Sequence, residues 1–269
     1  MVLEQEKNKY DSLHAFPPRC NRLKGKNNMI YVSSDLHGYP LQSFLRLLDK
    51  ARFSDADDLI ILGDVIDRNG DGGIEMLRWM LQQVNVRMIL GNHEAMLLSC
   101  RFLFDAITDE SLAQFGQDKM ELLSVWMMNG AEPTLKSLKN LFHEDEDTAQ
   151  ELLAYLEDAP LYEIAEVSGG RYLLTHSGLA SFEPGKRLSR YAPDDFLWNR
   201  PQITDQYFPK TTTVFGHTPT NYYGPEYAGR MLKTSTWIDI DTGAANGPGW
   251  HPMLLRLDDE TAFYADRKE

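Results

Sequence analysis

Apolar residues fall in short blocks separated by glycine- and acid-rich junctions, and the period of the blocks changes along the chain. MIYVSS at 29–34, LIIL at 59–62 and VRMIL at 86–90 are apolar runs of strand length. Leu41, Phe44, Leu45 and Leu48 recur at helical spacing between the first two, a further helix is predicted around 72–83, and another starts near Glu94. Alternation of this kind predicts βαβ units and a parallel sheet. Residues 95–158 carry a Leu- and Met-rich helical pattern broken at Asn129-Gly130 and Pro133. Its Met-rich pieces near 120–128 read as core or cap packing, and the acidic run EDEDTAQE at 144–151 as a solvated helix start.

From residue 160 the texture turns to strands: LYEIAEV, RYLLTHSG, TTTVFGH, TWIDIDTG, HPMLLRL and TAFYA. In TWIDIDTG, Ile238 and Ile240 face one way and Asp239 and Asp241 the other. A second sheet packed on the first accounts for the switch. Residues 1–27 read as a polar lead-in whose basic residues, Arg19, Arg22, Lys24 and Lys26, are solvated surface. Residues 28–269 are expected to form a single domain that includes the helical region 95–158.

Composition narrows the function classes. The chain has 269 residues and a formal charge of −13, so a broad nucleic-acid surface is not expected. A small phosphate-bearing substrate remains compatible, because bound metals and arginines can reverse the local field. Cys20 and Cys100 are the only cysteines, which argues against a disulfide scaffold and for reduced structural thiols. The opening MVLEQEKNKY has no apolar signal core and no later segment has the length of a spanning helix, so a cytoplasmic location without membrane association is the default expectation.

The junctions after the apolar runs carry the chemistry. They read SSDLHG at 33–38, ILGDVIDR at 61–68, MILGNHE at 88–94, LLTHSG at 173–178 and VFGHT at 214–218. Ligands of α/β sheets bind beyond the carboxyl ends of strands, where these junctions lie. Carboxylate, imidazole and amide donors together suit Mn, Fe or Zn better than a thiolate zinc site or an all-oxygen calcium site. An economical assignment gives Asp35, His37 and Asp64 to one metal and Asp64, Asn92, His176 and His217 to a second, with Asp64 as the bridge. Two dications held this way acidify a bridging water and clamp an in-line displacement at phosphorus. His93 is assigned as the general acid, with Asp67 orienting its ring. Arg68 and Arg200 are candidate phosphate clamps, since a guanidinium fork matches phosphoryl oxygens. Asp241 is a candidate hydrogen-bond support for a metal-bound histidine. Gly63, Gly91 and Gly216 are read as permitting close backbone approach. His14, His143 and His251 lack this context and read as surface or structural, and Thr175 and Ser177 have no base beside them. Each motif alone has an ordinary turn or capping explanation. The recurrence at five successive strand ends does not.

In order and spacing, DLHG, GDVIDR, GNHE, THSG and GHT resemble the calcineurin-like metallophosphoesterase superfamily. NGAEPTL at 129–135 and IDIDTGA at 238–244 resemble segments of its phosphoprotein-phosphatase branch, particularly the bacterial serine/threonine protein phosphatases and symmetrical diadenosine tetraphosphatases. The resemblance implies a four-layer α-β-β-α fold with two packed mixed sheets and a helical insertion, and two metal ions, Mn first with Fe or Zn as alternatives. It also supports the roles assigned to Asp35, His37, Asp64, Asn92, His176, His217, His93, Asp67 and Arg68; the match around Arg200 is shorter. The implied activity is phosphomonoester hydrolysis by a metal-bridging hydroxide, first on phosphoserine or phosphothreonine in proteins. Symmetrical cleavage of a dinucleoside tetraphosphate is the alternative, for which Tyr222, Tyr223, Tyr227 and Trp250 could hold the bases. A non-catalytic scaffold using the helical region is a third reading. The expected partner is therefore a phosphorylated protein or a small phosphorylated metabolite. Asn69, Ala131 and the segment ANGPGWHP after DTGA depart from the branch pattern.

Overall fold

A computed structural model describes residues 23–24, 28–105, 116–168 and 170–265. Cys20, His14 and most of the basic lead-in lie outside the described residues. Five strands build one sheet: β2 (Ile30–Ser33), β3 (Asp58–Ile61), β4 (Val86–Met88), β10 (Met253–Arg256) and β11 (Thr261–Tyr264), in the order β11-β10-β2-β3-β4. The other sheet contains β1 (Leu23–Lys24), β5 (Tyr162–Val167), β6 (Gly170–Thr175), β7 (Thr212–Phe215), β8 (Leu232–Lys233) and β9 (Trp237–Asp239), in the order β1-β5-β6-β7-β9-β8. β2, β3 and β4 pair in parallel as the βαβ pattern predicts, but β10 runs antiparallel to β2. In the second sheet β6, β7 and β9 are parallel, β5 runs antiparallel to β6 and parallel to β1, and β8 runs antiparallel to β9. Both sheets are therefore mixed, as the resemblance implies, and the parallel sheet read from the βαβ pattern holds for β2, β3 and β4 but not for β10 and β11 added beside them.

Alternation decides how the layers stack. Ile30, Val32, Ile60 and Leu62 join Leu174, Val214, Ile238, Ile240 and Leu255 in one buried apolar cluster that fills the space between the sheets. The opposite parity, Tyr31, Leu59 and Ile61, packs against Phe44, Leu47 and Leu48 of α1 (Leu41–Lys50) and Leu77 and Met80 of α2 (Ile74–Leu81). Helices thus cover the outer faces, giving four layers, α-β-β-α. The reading of TWIDIDTG holds, because Ile238 and Ile240 point between the sheets while Trp237 joins the outer cluster.

The helical insertion comprises α4 (Gln117–Met128), α5 (Glu132–Glu144) and α6 (Glu146–Glu157), following α3 (Asn92–Ser99). Asp145 caps α6, accepting from Thr148 N–H at 3.1 Å and from its hydroxyl at 2.6 Å, so the acidic run is a helix start. The Met-rich reading fails in part: Met120, Met127 and Met128 of α4 are exposed, and Trp126 alone turns fully inward. Cys100 is buried, which pushes its thiol up to about 12 and leaves it inert. Among the described residues no helix is long and apolar enough to cross a membrane.

Candidate metal centre

Five strands end at one place. Asp35 and His37 follow β2, Asp64, Asp67 and Arg68 follow β3, Asn92 and His93 open α3 after β4, His176 follows β6 and His217 follows β7. Among the described residues, six of the nine non-glycine residues with positive φ are in this set: Asp35, His37, Asp64, Asp67, Arg68 and His217. Such residues cost of order 1–2 kcal/mol each and persist where surrounding contacts over-determine them. The contacts are visible here. Asp35 N–H donates to Gly63 O at 3.1 Å, His37 N–H to Asp64 O at 2.9 Å, and Gly38 N–H to Val65 O at 2.9 Å, zipping the two loops together. Across the sheets, His217 N–H donates to Asp35 Oδ2 at 2.9 Å.

The glycines behave as expected of close approach. A Cβ on Gly63 would lie 2.5 Å from Gly91 Cα, and one on Gly216 would lie 2.0 Å from Asp35 Oδ2. Neither neighbour can yield, because each belongs to the site.

Ring tautomers follow from the partners. His37 Nδ1 lies 3.0 Å from Ile66 O and His176 Nδ1 lies 2.7 Å from Leu62 O. A carbonyl can only accept, so each Nδ1 carries the proton and each Nε2 presents a lone pair. The His37 lone pair faces Asp64 Oδ2 at 3.5 Å and Asp35 Oδ1 at 4.0 Å. That of His176 faces Asp64 Oδ1 at 3.4 Å, Asn92 Oδ1 at 2.8 Å and His217 Nδ1 at 3.2 Å. His217 Nδ1 is also 3.0 Å from Asn92 Oδ1. His176 Nε2, Asn92 Oδ1 and the Asp64 carboxylate are acceptors brought together in the protein interior, an arrangement that is repulsive until a cation sits among them. The donor set fits a pair of metals.

Burial shows the same demand. Asp35 and Asp64 are 2 % exposed, and their carboxyls are held well above the usual range, first by burial and then by neighbouring carboxylates, Asp241 for Asp35 and Glu94 for Asp64. Burial likewise depresses His37 and His217, and takes His176 down to about 3, keeping the rings neutral and able to ligate. Two triads could each hold an ion, with their donor atoms within 4.8 Å of one another: His37, Asp64 and His93, and Asp64, His176 and His217. Asp64 belongs to both.

His93 also has a private partner. Its Nδ1 lies 2.6 Å from Asp67 Oδ2, and its Nε2 lies 3.1 Å from Arg68 Nη2. The guanidinium can only donate, so this ring carries its proton on Nδ1, toward the carboxylate. Asp67 is fixed in turn by two residues of the insertion: Trp126 Nε1–H donates to Oδ2 at 2.9 Å and the Thr134 hydroxyl to Oδ1 at 2.6 Å. Arg68 N–H donates to Gly130 O at 2.9 Å. Arg200 Nη1 donates to His217 O at 3.2 Å, which places its guanidinium at the edge of the cluster. Asp241 accepts from Gly243 N–H at 2.8 Å and acts on the site through its charge beside Asp35.

Three contributors were invisible to pattern reading. Trp126 and Thr134 sit far from Asp67 in sequence, within a region read as packing and as a family-like segment. Glu94 is fully buried and accepts four backbone N–H groups: Asp64 at 2.8 Å, Val65 at 2.8 Å, Ile66 at 3.2 Å and Gly91 at 3.1 Å. An acid in the first turn of a helix was the available signal, and it is too common to single the residue out.

Residues 29–240 match the family described as calcineurin-like phosphoesterase. The chain belongs to that family. Serine/threonine-protein phosphatase 2 of Salmonella typhimurium is 29% identical over 226 residues, covering 80% of this chain and 87% of that protein. A symmetrical bis(5'-nucleosyl)-tetraphosphatase of Chromobacterium violaceum is 42% identical over 74 residues, covering 26% of this chain and 25% of that protein. Among solved structures, a protein provisionally described as a diadenosine tetraphosphatase superposes with a TM-score of 0.57 at 16% identity, covering 90% of this chain and 95% of its own. That likeness shows the fold. The calcineurin-like phosphoesterase fold and the two triads together give this chain the capacity for two-metal phosphoester chemistry.

Proposed function

We propose that the protein is a metal-dependent phosphoesterase of the phosphoprotein-phosphatase branch, hydrolysing phosphomonoesters, with phosphoserine or phosphothreonine on proteins as the first substrate class. The observation that carries this reading is the pair of donor triads sharing Asp64, set beside the buried His93–Asp67 pair. Asp35, His37 and Asp64 would hold one ion, and Asp64, Asn92, His176 and His217 the other. Mn is the favoured occupant, with Fe or Zn as alternatives. When bound, the ions supply Lewis acidity to a phosphoryl group and an acidified water as nucleophile.

The remaining work falls to the chain's own residues. Arg68 and Arg200 bind phosphoryl oxygens and orient the group. Asp67 holds His93 through Nδ1, which leaves Nε2 to deliver a proton to the departing oxygen once that nitrogen is protonated. His93 belongs by distance to one triad, yet its Nε2 already faces the Arg68 guanidinium, a cation competing for the same lone pair. We therefore assign it to proton transfer rather than to coordination. Residues 28–269 are read as one phosphoesterase domain, because the helical insertion supplies both side chains that hold Asp67.

The Salmonella relative supports the phosphoprotein substrate over most of the chain's length. A second reading, symmetrical dinucleoside tetraphosphate hydrolysis, is favoured by a cavity of about 560 Å³ whose described lining includes Tyr39, Trp250, Arg46 and Lys50 and no carboxylate. The test measures bound metal and Mn²⁺-dependent hydrolysis of a chromogenic aryl phosphate, followed by parallel assays with a phosphopeptide and diadenosine tetraphosphate. A protein that binds no metal and shows no Mn²⁺-responsive turnover would be a scaffold, and the proposal would fall.

A further inference from the structure

Every polar group of His37 but one is held by a single neighbouring loop. Its N–H donates to Asp64 O at 2.9 Å and its ring Nδ1–H to Ile66 O at 3.0 Å. Its carbonyl accepts from the side-chain amide of Asn69 at 3.0 Å. Nε2 is left, and it faces Asp35 and Asp64. His37 stands at φ 42, a conformation that persists where surrounding contacts over-determine it. Asn69 supplies one of those contacts, at a position where this chain departs from the branch pattern.

An asparagine beside a glycine ordinarily serves its own turn, bonding backbone two residues on. This amide instead reaches a carbonyl 32 residues away in sequence. The two loops touch there: a Cβ on Gly38, at φ +68, would fall 1.9 Å from Asn69 O. The backbone of Asn69 serves a second member of the site. Its N–H donates to Asp67 O at 2.8 Å, closing a three-residue turn around Arg68, whose φ of 68 is the rare form of that turn. Gly72 N–H fixes Asn69 O at 2.9 Å. One residue is thus bonded through its side chain to the loop of a candidate metal ligand and through its backbone to the turn that presents a candidate phosphate clamp.

We propose that Asn69 is a positioning residue that sets His37 and Arg68 relative to each other, so that filling the first metal position and gripping a phosphoryl group are coupled. The inference rests on the phosphoesterase reading above and adds to it a residue outside both triads. The amide tethers the His37 backbone, and Nε2 follows that backbone through the torsions of one side chain. Without the tether, His37 gains freedom that ligation must remove, and the ion binds more weakly. The bonds of Asn69 run to the loops after β2 and β3, whereas Asn92, His176 and His217 follow β4, β6 and β7. The second metal position should therefore keep its affinity.

The experiment titrates Mn²⁺ by calorimetry into the metal-free full chain as wild type, Asn69→Ala and Asn69→Asp, and then titrates inorganic phosphate into each Mn²⁺-loaded protein. Asn69 lines an open cavity, so neither variant has to displace a close-packed core. Alanine removes the donor; aspartate keeps the shape and turns an acceptor toward the carbonyl. The wild type should show two Mn²⁺ events. Both variants should weaken one of them about two- to twelvefold, the factor expected for one lost hydrogen bond, and leave the other at its wild-type value. Phosphate binding should weaken in the same two variants. A lower Tm with Mn²⁺ and phosphate binding unchanged would make Asn69 an ordinary turn residue and overturn the proposal. Equal weakening of both Mn²⁺ events, or an effect on Mn²⁺ without one on phosphate, would also overturn it. A wild type that binds no Mn²⁺ would bring down the phosphoesterase reading and the positioning role together. If the selective Mn²⁺ and phosphate losses appear but no phosphoester is hydrolysed, the positioning role stands and the phosphoesterase reading falls.

Discussion

Glu94 is the residue whose replacement tests most sharply how the centre is held. Its two carboxylate oxygens accept from four backbone N–H groups, those of Asp64, Val65, Ile66 and Gly91, at 2.8–3.2 Å. These clamp the loop after β3, including Asp64 at φ 56, against the start of α3. Glu94→Gln keeps the shape but offers one acceptor and one donor. Whichever way the amide turns, two buried N–H groups lose their acceptor and face a donor. At about 1–3 kcal/mol for each unsatisfied buried group, the cost for two is about 2–6 kcal/mol. Glu94→Leu strands all four, and its cost approaches the whole stability of an ordinary domain, about 5–15 kcal/mol. Urea denaturation should show the Gln variant destabilised by that amount, with Tm down by roughly 5–10 °C. Because Asp64 belongs to both triads, bound metal should fall together with stability. A Glu94→Gln protein within about 0.5 kcal/mol of wild type and with full metal content would refute the clamp, since surface substitutions away from such features shift stability by no more than that.

Three further outcomes follow from the same geometry. Chelation of the purified protein should lower Tm, and Mn²⁺ added to about a hundred times its Kd should restore about 2.7 kcal/mol, because ligand binding to the native state adds that much; a Tm indifferent to chelator would mean the converging acceptors hold no ion. His93→Ala should reduce kcat by about 10²–10⁴, the usual range for a lost general acid, while metal content measured by emission spectrometry stays at the wild-type value; loss of an ion would make His93 a ligand, as its distance to Asp64 allows. Trp126→Phe removes the indole N–H from Asp67 Oδ2 and keeps the packing. Turnover should fall about tenfold, a second-partner effect of the size seen around metal-site histidines; unchanged turnover would confine Trp126 to packing.

Much of this site was legible because its signals are local. A strand run followed by Asp, Gly, Asn or His marks a turn in which short polar side chains tolerate positive φ, and the structure places Asp35, His37, Asp64 and His217 in that conformation. Alternation in TWIDIDTG sorted Ile238 and Ile240 from Asp239 and Asp241 without any knowledge of the neighbours. Strand ends of one sheet meet at one edge, so the convergence of DLHG, GDVIDR and GNHE followed from the βαβ pattern alone.

What only the tertiary structure decided depends on contacts between distant segments. Strand order in the second sheet, with β1 beside β5 and β9 between β7 and β8, leaves no trace in period or spacing. The antiparallel seat of β10 against β2 is equally silent, because both a parallel and an antiparallel partner would bury Leu255. Met127 and Trp126 are adjacent on one helix, yet one is exposed and the other bonds Asp67 across 59 residues of chain. Glu94 marks only the neighbourhood of a helix start in the sequence, and the structure makes it a buried acceptor for four backbone N–H groups. Periodicity encodes which face of an element is apolar, and turn chemistry encodes where it ends; neither encodes which other element will cover that face, and there the packing of the whole chain makes the choice.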